Sequence, residues 1–300
     1  MSSADAATMD GAPGVKASRW SAAAPPTFLL TVAFELCVAV ASIAIGLSEQ
    51  TPRDLPFFER DPTISRALVP STVTTNALVG LAVIMPAASL LVYFVVAGVR
   101  QRKSLAVGCG AAAVVLTSFF LAVAMTILTT NVIKNFVGRK RPNFLAKCDY
   151  NGQFAAAASS GNFSAYLAST SAAAFGSLSK CAGSADNIID GQRSFPSGHS
   201  SMSFAGLGFL ALAARFAFQV DRNYFSPTAI LASLPLALAT YIACTRLIDG
   251  YHNFDDVLAG AVIGSFFASI SWAHYIRSRE VWKELNVLTV GGPTEVGLPK

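Results

Sequence analysis

The sequence predicts an all-α, polytopic membrane protein with six transmembrane helices, and three observations carry that expectation. Apolar residues make up 53% of the 300 and charged residues only 13%, whereas soluble domains carry roughly 25% charged residues. The mean hydropathy is +0.51. Six apolar runs have about the length that crosses a hydrocarbon core as a helix, and the polar residues gather between them.

The runs fall at about 27–47, 77–98, 104–130, 200–219, 227–245 and 257–277. The first is too long for a signal-peptide core and lacks a convincing cleavage site, so it reads as an uncleaved span. One domain, 27–278, is expected between tails at 1–26 and 279–300, with no internal repeat. The short connection "VRQRK" holds Arg100, Arg102 and Lys103 without an acid, which marks it as cytoplasmic under the positive-inside rule. Six spans then put both tails on that side as well. The net charge of +5 fits membrane orientation as well as an anionic partner, and no nucleic-acid partner is expected.

The connections at 48–76 and 131–199 fall on the opposite side, lumenal or extracellular. The first is balanced in charge. The second carries Lys134, Arg139, Lys140, Arg141, Lys147, Lys180 and Arg193, against the simple rule. Within it, the loop at about 143–195 contains the only glycosylation sequon, Asn162-Phe163-Ser164, whose occupancy is left open. Cys148 and Cys181 share this loop, either as a disulfide or as free thiols, while Cys37, Cys109 and Cys244 read as packing residues within spans. The Ala/Ser/Gly-rich stretch at 154–180 shows no sustained helical stripe and reads as a weakly specified surface excursion.

Three polar clusters border the spans on this same side. In "KNFVGRKRP", Lys134 and Arg141 stand two turns apart if helix persists, so both reach one anion; Arg139 and Lys140 read as a basic flank on lipid headgroups. In "PSGH", Pro196 suits a helix start. Ser197 and Gly198 leave accessible N–H groups at the first turn, and His199 stands beside any anion bound there. In "TRLIDGYHNFDDV", Arg246 closes a span, and Asp256 follows His252 by four residues, on one helical face if the chain is helical there. The carboxylate then holds one ring nitrogen and leaves the other free to attack. Each cluster alone also admits a plain reading as a basic flank, a cap or a His-Asp contact. Two scattered histidines and acids make a poor zinc or di-iron site, and no cofactor is expected.

Taken together, the clusters resemble the lipid phosphate phosphatase family, also called type 2 phosphatidic acid phosphatases, which shares a helical core with vanadium haloperoxidases. The motifs K-x6-R-P, P-S-G-H and S-R-x5-H-x3-D are met at Lys134–Pro142, Pro196–His199 and Thr245–Asp256, with Thr245 replacing serine. "PFFERDPTI", "RPNFLAKC" and Asp249 resemble the lipid phosphatase branch. The resemblance implies that His252 attacks phosphorus, Asp256 orients it, and His199 protonates the leaving alkoxide and later activates water. It further implies that Lys134, Arg141, Arg246, Ser197 and the Gly198 amide hold the phosphoryl oxygens without a metal. The implied reaction releases phosphate from a lipid such as phosphatidate, in the plasma membrane or an endomembrane. A transferase and a non-catalytic lipid-binding relative are the alternatives, and self-association is open. Glu35, inside the first span, is a functional candidate, or else it snorkels, pairs with another span or sits protonated. His274 reads as interfacial, with Trp272 and Tyr275 as belt aromatics.

Overall fold

The computed structural model describes residues 26–47, 51–102, 105–220 and 226–284. Of the expected tails, 1–26 and 279–300, residues 1–25 and 285–300 lie outside the described residues, as does Lys103 of the basic connection, while 279–284 continue the last helix. Eleven α-helices occur among the described residues: α1 (Pro26–Leu47), α2 (Thr75–Val79), α3 (Met85–Arg102), α4 (Leu105–Val137), α5 (Phe144–Cys148), α6 (Phe154–Ser160), α7 (Ser164–Ser169), α8 (Ala185–Gly191), α9 (Gly198–Ala217), α10 (Pro227–Ile248) and α11 (Phe254–Glu284). A π turn, Gly80–Ile84, fuses α2 to α3 into one rod. The rod, α4, α9, α10 and α11 are each long and apolar enough to cross a membrane. The first expected span is present as α1, whose apolar stretch within the described side chains is the shorter Ala33–Ile45.

The helices outlast the predicted runs because polar ends continue the hydrogen-bond ladder past the apolar core. Helix α4 has 33 residues, about 50 Å at 1.5 Å per residue, against a core of about 30 Å. Lys134 therefore stands on its last turn, beyond the apolar stretch. The outer faces remain apolar up to the same level: Phe136, Ile248 and Phe254, from α4, α10 and α11, are 77%, 80% and 69% exposed. Cys37, Cys109 and Cys244 also lie exposed on these faces rather than packed inside. A small, weakly polar thiol suits a lipid-facing surface as well as a core.

Helix α9 is the central post, packing most extensively on α11 and then α10. The approach is close because α11 presents Gly260 and Gly264 to it. A Cβ on Gly264 would sit 2.1 Å from the Ser201 carbonyl oxygen, and one on Gly260 2.5 Å from that of Ser197. This is the small-xxx-small pairing by which membrane helices bring their backbones together. On the other side, a Cβ on Gly206 would sit 1.7 Å from the Ala82 carbonyl oxygen. Pro86 has no N–H for that carbonyl four residues back, so the π turn and Gly206 meet where the ladder is interrupted.

Trp272 and Tyr275 prove to be core rather than belt residues: Tyr275 is buried against Phe94, and Trp272 packs edge-on to Phe209 and Phe216. Their side of α11 faces α3, α4 and α9 rather than headgroups. His274 does face outward in part, and its Nε2 meets Glu35 Oε1 at 2.7 Å, so Glu35 pairs with another span.

The long loop departs most from expectation. With 51–66 it forms a cap containing its own apolar cluster of Phe57, Ile64, Phe144, Leu145, Tyr150, Phe154 and Tyr166. Buried Glu59 ties the cap together, accepting from Tyr150 Oη (3.0 Å), Lys180 Nζ (2.6 Å) and the Ser171 amide (2.9 Å). Cys148 and Cys181 are joined by a disulfide, with Cα atoms 4.8 Å apart. Asn162 is exposed at the turn between α6 and α7. The aromatic residues holding this cap are spaced too irregularly to show a helical stripe.

Gly264→Ala is expected to lower stability by about 1–3 kcal/mol, the usual cost of forcing extra atoms into a closed contact. Thermal unfolding in detergent checks this, with Gly80→Ala, whose added Cβ would meet nothing within 4 Å, leaving the midpoint unchanged or higher.

Candidate active site

Four spans run in alternating directions, so the C-termini of α4 and α10 and the N-termini of α9 and α11 share one end of the bundle. Under this end lies a cavity of about 460 Å³ lined by Lys134, Arg141, Gly198, His199, Arg246 and His252, with Asp190 and Tyr251 also on its wall. Residues far apart in the sequence thus face one space. Ser197 and Asp256, both fully buried, stand behind that lining.

Lys134 and Arg141 meet there by a route other than the expected helix. Gly138, at φ +64°, ends α4 in the left-handed conformation, and its N–H bonds the Lys134 carbonyl. Beyond that turn the Arg141 amide bonds Gly191, while its side chain bonds Asp190 through Nε to the carbonyl (2.8 Å) and Nη2 to Oδ1 (2.6 Å). Lys134 Nζ donates to the Arg193 carbonyl at 2.7 Å.

The two cations between them do not lie on headgroups. Arg139 pairs with Asp255 and, at 2.8 Å, with Asp256 Oδ1. Lys140 is buried, 3.0 Å from Asp54 and 5.0 Å from the centres of the Phe57 and Phe144 rings. The Gly138 turn explains both, since it sends the chain away from the membrane and across the bundle end.

Pro196 follows a cis peptide bond and precedes the cap, so the helix begins two residues later, at Gly198. Ser197 is the N-cap, its Oγ accepting from the Ser200 amide at 3.4 Å. The first-turn N–H groups of Gly198 and His199 have no carbonyl four residues back within the helix, and Gly198 lies against the Lys134 side chain.

His252 lies just outside α11, so its alignment with Asp256 comes from a cap rather than from helical periodicity. Asp256 reaches back from the first turn to accept the Asn253 amide on Oδ2 at 2.8 Å, as in a capping box. The same oxygen accepts from Ser194 Oγ at 2.7 Å and faces His252 Nδ1 at 3.6 Å. That separation exceeds a hydrogen bond, and such contacts tighten when substrate is bound. Burial pushes the His252 imidazole well below its ordinary value, which keeps it neutral and nucleophilic at neutral pH. With Nδ1 turned to the carboxylate, Nε2 is the nitrogen left for chemistry.

Arg246 is nearly fully buried, held by Asp249 at 2.7 Å, Ser71 Oγ at 2.8 Å and Thr245 Oγ1 at 3.1 Å. The threonine in place of serine thus supplies the hydroxyl contact. The Tyr251 ring lies 5.5–5.7 Å from the cationic groups of Arg141, Lys147 and Arg246, within cation–π range. Among the described residues no three histidine, cysteine or acidic side chains gather as a metal-ligand set.

Sequence reasoning does not single out Arg139, Asp190 or Ser194 as site residues. Arg139 carries a signal, the Gly138 before it, which ends a helix and redirects the chain; Asp190 and Ser194 carry none.

Fold and site together define a bundle of apolar helices with, at one end, a cavity lined by Lys134, Arg141, Arg246, His199 and His252. The chain matches the PAP2 superfamily over residues 115–280, more than half its length, and belongs to that family. It is 38% identical over 152 residues to a probable lipid phosphate phosphatase 4 of Arabidopsis thaliana, covering 50% of this chain and 44% of the relative. It is 36% identical over 145 residues to a probable diacylglycerol pyrophosphate phosphatase 1 of Schizosaccharomyces pombe, covering 48% and 47%. A phospholipid phosphatase 2 of Bos taurus is 32% identical over 246 residues, 79% of each chain. The chain thus spans about half the length of the first two and most of the third. No solved structure matches it. Family and apolar helices together make this an integral, multi-pass membrane protein.

Burial opposes the Asp190 charge, but Arg141 and Lys147 more than offset it, holding the carboxyl at about 2. A depressed value stabilises the fold above the unfolded carboxylate value, about 3.9, and that contribution is lost as pH falls through about 2. Asp190→Asn is therefore expected to lower the thermal midpoint at pH 7, with the gap to the parent narrowing below about pH 4. A pH series of unfolding curves in detergent checks it.

Proposed function

We propose that this protein hydrolyses lipid phosphate monoesters such as phosphatidate, releasing the dephosphorylated lipid and inorganic phosphate through a phosphohistidine. The observation that carries the reading is one cavity in which Lys134, Arg141 and Arg246 surround a space faced by His199 and His252. The names of the relatives, which include lipid phosphate and phospholipid phosphatases, support the substrate class.

The three cations and the Gly198 amide hold the phosphoryl oxygens, neutralising charge that builds in the transition state. Ser197 shapes the first turn that presents this amide. His252 Nε2 attacks phosphorus, and Asp256 stabilises the positive charge that forms on the ring. His199 gives its proton to the departing lipid oxygen; in the second half it takes a proton from the water that cleaves the phosphohistidine. On this reading the site faces the lumenal or extracellular side of the membrane, as the six-span expectation with cytoplasmic tails implies. The Cys148–Cys181 disulfide and the exposed Asn162 sequon support that placement.

The purified protein is expected to release phosphate from phosphatidate in detergent micelles with excess chelator, and His252→Ala to reduce release to background. Full activity in that variant would overturn the reading. Asp256→Asn is expected to lower kcat by roughly 10²–10⁴-fold with much less change in KM, which steady-state kinetics measure directly.

A further inference from the structure

Three residues of the site reach back to one short segment that none of the three motifs contains. Arg246 Nη1 donates to Ser71 Oγ at 2.8 Å. Asp249 accepts the Thr72 amide on Oδ2 at 2.9 Å and the Thr72 hydroxyl on Oδ1 at 2.6 Å. One residue on, the Val73 carbonyl accepts from His199 Nε2 at 3.0 Å and from Ser71 Oγ at 2.8 Å. The Val73 side chain is buried with Leu78, Leu207, Ala239 and Ile242, and Thr74 caps α2 immediately after. Ser71–Val73 is thus a strap pinned at both ends, lying between α10 and the start of α9.

A carbonyl oxygen only accepts, so Nε2 of His199 carries a hydrogen, and the ring nitrogen left for the reaction is Nδ1. We infer that Asp249 is a positioning residue for proton transfer: by holding Thr72 it fixes the Val73 carbonyl, which sets the tautomer and angle of His199. The inference rests on the phosphatase reading above. In the imidazolium form, Nε2–H stays on Val73 while Nδ1–H points to the ester oxygen. As His252 Nε2 forms its bond to phosphorus, the bond from phosphorus to the lipid oxygen breaks and that oxygen takes the Nδ1 proton. The neutral ring left behind is the Nε2–H tautomer that the carbonyl demands. Nδ1 then accepts a proton from the water that cleaves the phosphohistidine, restoring the imidazolium as phosphate leaves.

Asp249 also pairs with Arg246, and the two roles separate cleanly. Misplacing Arg246 weakens the grip on phosphate for every ester. Misplacing His199 slows only esters whose leaving group needs a proton.

The test is single-turnover release of the leaving group by rapid quench, from phosphatidate and from a nitrophenyl phosphate bearing an alkyl chain, whose phenolate leaves unaided. Asp249→Asn is expected to slow lipid alcohol release by about 10²-fold, near the lower end of what general acid catalysis supplies. Thr72→Val, which keeps the Arg246–Asp249 pair, is expected to slow it by about tenfold with nitrophenol release staying within about threefold of the parent, whereas Asp249→Asn, which also loosens Arg246, slows nitrophenol release too, but by less than lipid alcohol release. Equal losses on both esters in Thr72→Val, or no loss on either, overturn the strap's role. A parent protein that releases neither alcohol, or His252→Ala releasing both at the parent rate, overturns the phosphatase reading instead.

Discussion

The Asp256 carboxylate is the interaction on which the rest of the site depends. It is fully buried, and a buried carboxylate is tolerated only when its charge is paired and its lone pairs are filled. Three groups from three parts of the chain do this: Arg139 from the turn after α4, Ser194 from the approach to α9, and the Asn253 amide from the entry to α11, with the His252 ring facing the same carboxylate at 3.6 Å. The Asp256 main chain adds a fourth tie, accepting the Ser197 amide at 2.8 Å. Removing any one of these partners exposes the carboxylate to a less satisfied environment, so the positions of α4, α9 and α11 are coupled through a single side chain.

Such coupling requires backbones near enough for short side chains to reach. Gly260 and Gly264 let α9 lie against α11, which brings the Ser197 turn to the Asp256 carbonyl. Packing and the geometry of the site are therefore one problem here. The cations around the cavity are likewise set in place by protein acceptors: Lys134 by the Arg193 carbonyl, Arg141 by Asp190, and Arg246 by Asp249. On the proposed function, a phosphate that enters meets groups already oriented, and little ordering remains to oppose its binding.

The spans are legible in the sequence because apolar runs of membrane length have few alternative explanations, and Lys134, His199, Arg246 and His252 are legible because they stand directly at the ends of those runs. The route from Lys134 to Arg141 is not, because spacing alone suggests two helical turns, although Gly138 is there to break them. Gly260 and Gly264 are also visible as a pair four residues apart, a pattern whose meaning depends on which helix lies opposite. The cap is hidden for another reason. Its core joins Phe57, Phe144, Tyr150 and Tyr166 from separate segments, and Glu59 gains its role only when Tyr150 and Lys180 arrive from about a hundred residues away. Contacts of that kind leave no local periodicity to read.

Phe136, Ile248 and Phe254 surround the site end of the bundle with exposed apolar surface, next to the turns that carry Lys134, Arg246 and Asp256. The hydrocarbon boundary then passes close to the level of the cavity, and on the proposed function a lipid phosphate reaching it keeps its chains immersed. Encounter becomes a two-dimensional search. For such a substrate the relevant concentration is its mole fraction within the bilayer plane, and dilution with inert lipid slows turnover even when the amount in the whole sample is unchanged.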